Sequence, residues 1–155
     1  VKGKLGMVPN MFATLAQAPV ALKGYLGLAE TLAAGRLTSA QRESIALAVG
    51  QANACQYCLS AHTLLGKGAG LSPRDIAQAR TGSGATRLDA ALAALARQLT
   101  EERGLLALSD LETDRQGGVD EGLMLEVVAA VALNTLTNYT NHIAGTEVDF
   151  PVVTV

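Results

Sequence analysis

Apolar residues recur at three- and four-residue steps along almost the whole of this 155-residue chain. Leu22, Tyr25, Leu26, Ala29 and Leu32 do so in one stretch, and Leu88, Leu92, Leu95 and Leu99 in another. That spacing gathers them on one face of an α-helix, and no alternating pattern long enough to pair as strands interrupts it. The residue types agree. The 27 Ala and 24 Leu make up a third of the chain, there is no Trp, and aromatics are 3%. Ala and Leu are strong helix formers and poor strand markers. The fold class is therefore expected to be all-α: a single-domain helical bundle over residues 1–155, with no linker or low-complexity tract.

Start and stop signals divide it. Residues 1–10 are turn-rich, and Pro9 opens a short helix to about residue 16. Pro19 begins a stronger helix that ends at Gly35. Thr38 stands three residues before Gln41, a capping-box spacing for a helix to about residue 52. Asn53 sits at a break, and the next helix runs from about residue 55 to 67, stopped by Gly68 and Gly70. Ser72, Pro73 and Asp75 start a short helix to about residue 80. A connection over 81–85 leads to a helix over about 86–103. Ser109 is read as the cap of a short polar helix ended by Gly117 and Gly118. The longest helix spans about 120–144, with Leu123, Val127, Ala130, Val131 and Leu133 on its stripe. Residues 145–155 form an extended tail.

Charge and hydropathy exclude several classes. Lys and Arg total 12 against 14 Asp and Glu, for a net charge of −2. That balance lacks the basic footprint of a nucleic-acid binder. With 49% apolar and 17% charged residues, disorder is excluded too. Mean hydropathy is +0.26, yet the longest apolar runs, such as 127–133, fall far short of the roughly 20 residues a membrane span needs. The surplus apolar surface is expected in the core and in subunit interfaces.

The two cysteines, Cys55 and Cys58, are too close in sequence to staple a fold. They read as redox or metal chemistry in a reducing compartment, so a cytoplasmic location is expected. On a helix, Cys55, Cys58 and His62 fall at i, i+3 and i+7, on one inward stripe that Leu65 and Ala69 continue. Glu43 lies on the preceding helix. If the chain reverses near 52–53, the two helices form a hairpin with Glu43 and His62 at one level and Cys58 about 6 Å along the axis. A carboxylate, an imidazole and a thiol then share one small volume. His62 can take the thiol proton, Glu43 can orient the imidazole, and a helix N-terminus near the cysteines favours a thiolate. The Cα separation expected for Cys55 and Cys58, about 5 Å, is one a disulfide tolerates.

These residues resemble the alkylhydroperoxidase D core of the carboxymuconolactone decarboxylase family. The spacing Glu-x11-Cys-x2-Cys-x3-His is that core's motif, matched without a gap from Glu43 to His62. Leu37-Thr-Ser-Ala-Gln-Arg-Glu43 before it agrees, as do Asn134-Thr-Leu-Thr-Asn138-Tyr-Thr-Asn-His142 and Asp149-Phe-Pro151 after it. The tail resembles the family's peroxidase-related branch, and the likeness covers about residues 8–151. It implies a thiol peroxidase acting on hydrogen peroxide or alkyl hydroperoxides. Cys58 would attack the peroxide and become a sulfenic acid, Cys55 would condense with it to a disulfide, and a dithiol donor would reduce that disulfide. In the family's best-known member the donor is a lipoylated protein. Glu43 and His62 carry over as the proton relay, with no cofactor and no metal. That member has a histidine before the second cysteine; Tyr57 stands here, and a phenol is no base near neutral pH. The family forms homotrimers and homohexamers.

The residues also allow other readings. Cys55, Cys58 and His62 offer three zinc ligands, but no second Cys/His pair lies nearby. A thioredoxin-like role needs a strand before the motif. A lactone decarboxylase is the alternative enzyme class, though such members generally lack paired cysteines. A redox-sensing helical assembly module is the non-catalytic alternative. Tyr57 reads as packing or a pocket wall, Tyr25 as core, and His142 as part of a polar helix-end cluster with Asn134, Asn138 and Asn141. Asp149 and Pro151 are expected to fix the tail's path over the bundle.

Overall fold

A computed structural model describes residues 7–155. They form eight helices: α1 (Asn10–Ala16), α2 (Pro19–Ala33), α3 (Ser39–Ala52), α4 (Gln56–Gly68), α5 (Pro73–Arg80), α6 (Arg87–Glu101), α7 (Leu108–Gln116) and α8 (Glu121–Ala144). No strand occurs among the described residues, and the all-α expectation holds. The turn-rich reading of 1–10 falls largely on residues outside those described.

Helix α3 is the central element, packed by α4, α5, α6 and α8. Residues 44–50 are all buried, so this helix is covered on every side. Its core with α6 and α8 is built from Ile45, Val49, Leu92, Leu95, Val119, Leu123 and Val127. A second cluster joins Met11 and Leu15 of α1 to Cys55, Tyr57, Cys58 and Ala61. A third ties Leu47 and Leu59 to Ile76 and Ala79 of α5. Among the described residues, no helix is long and apolar enough to cross a membrane.

The caps explain most boundaries. Thr38 accepts from the Gln41 backbone N–H at 3.2 Å, and the Gln41 side chain accepts from the Thr38 N–H at 3.0 Å. Ser72 and Asp75 form the same reciprocal pair before α5. Thr86 and Asp120 cap α6 and α8. Three boundaries differ from expectation. Ser109 is not a cap: α7 begins at Leu108 behind extended Ala107, and no side chain caps it. The carboxylate of Asp110 in the first turn instead meets the helix's positive end. Helix α6 ends at Glu101 because Arg103 and Gly104 both turn to positive φ. Helix α4 begins at Gln56, leaving Cys55 as its cap.

The α3–α4 turn fixes the site. The Cys55 N–H bonds the Gly50 carbonyl at 2.9 Å and the Ala54 N–H bonds that of Gln51 at 3.0 Å. This is the six-to-one and five-to-two closure of a Schellman motif. Its left-handed position is taken by Ala54, with φ of 51°, where glycine is usual. Asn53 donates to Asn138 Oδ1 at 3.0 Å, pinning the turn to α8.

Candidate functional site

The turn delivers Cys55 and Cys58 to the top of α4. Cys55 Sγ accepts from the Cys58 N–H at 3.3 Å, so the cap of this helix is itself a sulfur. The two cysteines are joined as a disulfide with Cα atoms 5.3 Å apart. They are 1% and 3% exposed, well sheltered from solvent. The positive end of α4 faces both sulfurs.

One turn further, His62 meets α3. Its Nδ1 lies 2.7 Å from Glu43 Oε2, with the two side chains 21% and 20% exposed. A carboxylate only accepts, so Nδ1 carries the hydrogen and the basic lone pair of a neutral imidazole sits on Nε2. The hairpin counted from the sequence therefore sets these two residues at one level. Among the described residues no hydrogen bond joins His62 to Cys58. Both line one cavity of about 580 Å³, together with Glu43. Cys58 is on its wall, and Cys55 is not.

The rest of the wall is largely apolar and aromatic. Met11 and Phe12 come from α1, Tyr25 and Leu26 from α2, Leu65 from α4 and Phe150 from the tail. Tyr25 packs against the core cluster around the cysteines and also lines the cavity, edge-on to Phe12 with ring centres 5.7 Å apart. Burial, and secondarily the Glu43 charge, push its phenol above the ordinary value. Tyr57 is a cavity wall as expected. Its hydroxyl accepts from the Met11 N–H at 3.2 Å, and its ring meets Phe150 edge-on at 5.6 Å. Burial above all, with Asp149 adding, holds this phenol far above its usual range, so it stays protonated.

The polar run on α8 divides across the helix. Asn134, Thr137, Asn138 and Asn141 are buried, while His142 is exposed. Among the described residues His142 makes no hydrogen bond to the three asparagines, because residue 142 falls at the solvent-side edge of the face that buries them. Asn141 was missed as a site residue. Its Nδ2 donates to Cys58 Sγ at 3.4 Å, and it lines the cavity. Its phase with Asn134 and Asn138 was visible, but the partner it reaches, 83 residues away, was not.

The tail closes the site. Asp149 Oδ2 accepts from the Asn10 N–H at 2.8 Å, and Asn10 donates to the Glu147 carbonyl at 3.1 Å. The Val153 N–H bonds Ser60 Oγ at 3.0 Å, and Arg80 donates to the Thr154 carbonyl at 2.7 Å. Asp149 thus holds the tail against α1. Among the described residues, no group of three or more His, Cys, Asp or Glu is placed to hold a metal ion.

A small helical domain with a buried Cys-x-x-Cys at a helix start and a Glu–His pair beside it defines the class. The family model for the carboxymuconolactone decarboxylase family matches residues 19–101, and the chain belongs to that family. A search of curated proteins finds no match. Among solved structures, an uncharacterized peroxidase-related protein with an alkylhydroperoxidase AhpD core, from Ralstonia eutropha JMP134, is similar at 25% identity. It superimposes with a TM-score of 0.85 over 96% of this chain and 80% of that one. An uncharacterized peroxidase-related protein from Silicibacter sp. TM1040 has the same fold at 21% identity and TM-score 0.77, over 98% of this chain and 80% of that one. So does the debrominase Bmp8, solved as a cysteine-to-alanine variant with 2,3,4-tribromopyrrole. It is 18% identical with a TM-score of 0.81, over 96% of this chain and 81% of that one. The fold is that of the AhpD core.

Proposed function

We propose that the protein is a thiol peroxidase that reduces hydrogen peroxide or alkyl hydroperoxides through Cys58. The observation that carries this reading is the Glu43–His62 pair lining the same cavity as Cys58, whose sulfur is bonded to Cys55. In the reduced protein His62 takes the Cys58 proton, and Glu43 holds the resulting imidazolium. The thiolate attacks the hydroxyl oxygen of R–O–O–H. An S–O bond forms, the O–O bond breaks, and the departing alkoxide takes the proton from His62 to leave as an alcohol. The sulfur is oxidised by two electrons to a sulfenic acid. Cys55, as a thiolate, then attacks that sulfur; an S–S bond forms and hydroxide leaves, protonated to water. A dithiol donor such as a lipoylated protein returns two electrons.

Cys58→Ser is expected to abolish dithiol-dependent peroxide consumption. Cys55→Ser is expected to trap a sulfenic acid on Cys58, read as a mass adduct with dimedone after one equivalent of peroxide. Full peroxidase activity in Cys58→Ser rejects the reading.

The aromatic cavity supports a second reading, reductive dehalogenation of a flat halogenated aromatic. There the two thiols supply two electrons, and the products are the protonated aromatic, hydrogen halide and the disulfide. Halide release without peroxide consumption would select it.

A homo-oligomer is part of the proposal. Leu125, Val128, Leu136, Tyr139 and Ile143 are exposed at helical spacing along the outer face of α8. A second copy of the chain would cover that stripe. Light scattering of wild type is expected to give a trimer or hexamer, and Ile143→Glu a smaller species.

A further inference from the structure

We propose that Asn141 is a hydrogen-bonding partner of both reacting atoms: its Nδ2–H holds the Cys58 thiolate, and its Oδ1 receives the O–H of the bound hydroperoxide. The inference rests on the peroxidase reading. Asn141 is 5% exposed and lines the cavity beside Cys58 and His62. Its Nδ2 donates to Cys58 Sγ at 3.4 Å, while its Oδ1 is buried without a partner among the described residues. A buried amide carbonyl is ordinarily paired, so an unspent acceptor next to a reactive sulfur marks a place for a donor.

The other polar groups on the wall, the Tyr25 hydroxyl excepted, are already engaged. Glu43 and His62 bond each other, Thr137 donates to the Asn134 carbonyl, and the Tyr57 hydroxyl accepts from Met11. The titratable groups facing the cavity are Glu43, His62, Tyr25 and Tyr57. The donor that must come close to Cys58 in the reaction is the hydroperoxide itself. Its distal oxygen carries the hydrogen and is the atom the sulfur attacks. An acceptor holding that hydrogen places the distal oxygen beside the sulfur and directs the leaving oxygen away from it. The hydrogen stays on the oxygen transferred, so the new S–OH group keeps it. The proton for the leaving alkoxide still comes from His62.

Two variants separate the two halves. Asn141→Ala removes donor and acceptor; Asn141→Asp has the same shape and keeps an acceptor, but loses the donor and sets a negative charge beside the sulfur, which disfavours the thiolate further. Each protein is reduced with dithiothreitol. Alkylation of Cys58 by iodoacetamide at about pH 7 then reports the thiolate. Single-turnover oxidation by cumene hydroperoxide reports the chemistry. In Asn141→Ala, alkylation is expected to slow about tenfold and oxidation at least tenfold beyond that. In Asn141→Asp, both are expected to slow by one common factor, because the acceptor remains. Equal slowing of both reactions in Asn141→Ala overturns the oxygen half, and unchanged alkylation in both variants overturns the sulfur half. A wild-type protein that consumes no peroxide overturns the peroxidase reading and the oxygen half with it, while the alkylation profile still decides the sulfur half. Thermal melts check folding, and the isosteric Asn141→Asp keeps the test valid if the alanine variant is unstable.

Discussion

Glu43 and His62 are nineteen residues apart in sequence, yet Oε2 and Nδ1 meet at 2.7 Å across the α3–α4 hairpin. The carboxylate fixes which imidazole nitrogen carries hydrogen, and so which one is free to act as a base. Glu43→Gln is expected to lower peroxide-reduction kcat/KM by about 10²-fold. The melting temperature should change little, because Gln keeps an acceptor for Nδ1 and a partly exposed pair is worth about 1 kcal/mol. Steady-state kinetics beside a thermal melt checks this, and an unchanged rate removes Glu43 from the relay.

Tyr57 makes the opposite prediction. Its phenol stays protonated and is spent on the Met11 N–H, so it can act as a brace and not as a base. Tyr57→Phe is expected to cost about 1 kcal/mol of stability through that lost hydrogen bond. Peroxide turnover should stay within about twofold of wild type. A much larger fall in rate at intact stability contradicts the assignment.

Ala54 holds a left-handed backbone in the turn that presents both cysteines. Glycine adopts that conformation without a Cβ penalty. Ala54→Gly is therefore expected to stabilise the fold by about 0.5–1 kcal/mol in urea unfolding, after allowing for the freer unfolded chain. A loss of stability means that the Ala54 methyl makes packing contacts worth more than the relief.

Asp114 sets a pH dependence. It is 4% exposed, and its Oδ2 has no partner among the described residues. Burial, then the nearby Asp110 charge, push its carboxyl from 3.8 up to about 6. A carboxyl raised in the folded state binds its proton more tightly there than in the unfolded chain. Stability contributed by this group is full below 3.8, falls as pH rises through the window to about 6, and is lost above it. Asp114→Asn is expected to stabilise the protein by about 1–2 kcal/mol at about pH 8, with the gain vanishing below about pH 4. Denaturant melts across that range test it, and a gain independent of pH points to packing instead.

What was legible in the sequence was whatever depends on neighbours along the chain. The Thr38–Gln41 and Ser72–Asp75 caps are three-residue relations, and counting outward from one turn was enough to level Glu43 with His62. Ser109 misled because a good cap residue stood one turn-position inside a helix whose start is set by the extended Ala107. Tyr25 and Asn141 were illegible as site residues for another reason. Both belong to helices that reach the cavity only through packing, and periodicity shows that a face is buried without showing what it is buried against. Asn141 gains its meaning from where α8 crosses the top of α4, a tertiary fact.

The sheltering of the disulfide constrains whatever regenerates it. With Cys55 1% and Cys58 3% exposed, and only Cys58 on the cavity wall, a folded reductase cannot press a flat surface onto the bond. On the peroxidase reading proposed above, the electron donor has to bring its thiol into the cavity that Cys58 lines. On that reading the burial of both sulfurs selects donors by girth and reach, and it spares the pair from bulky thiols that happen to drift past.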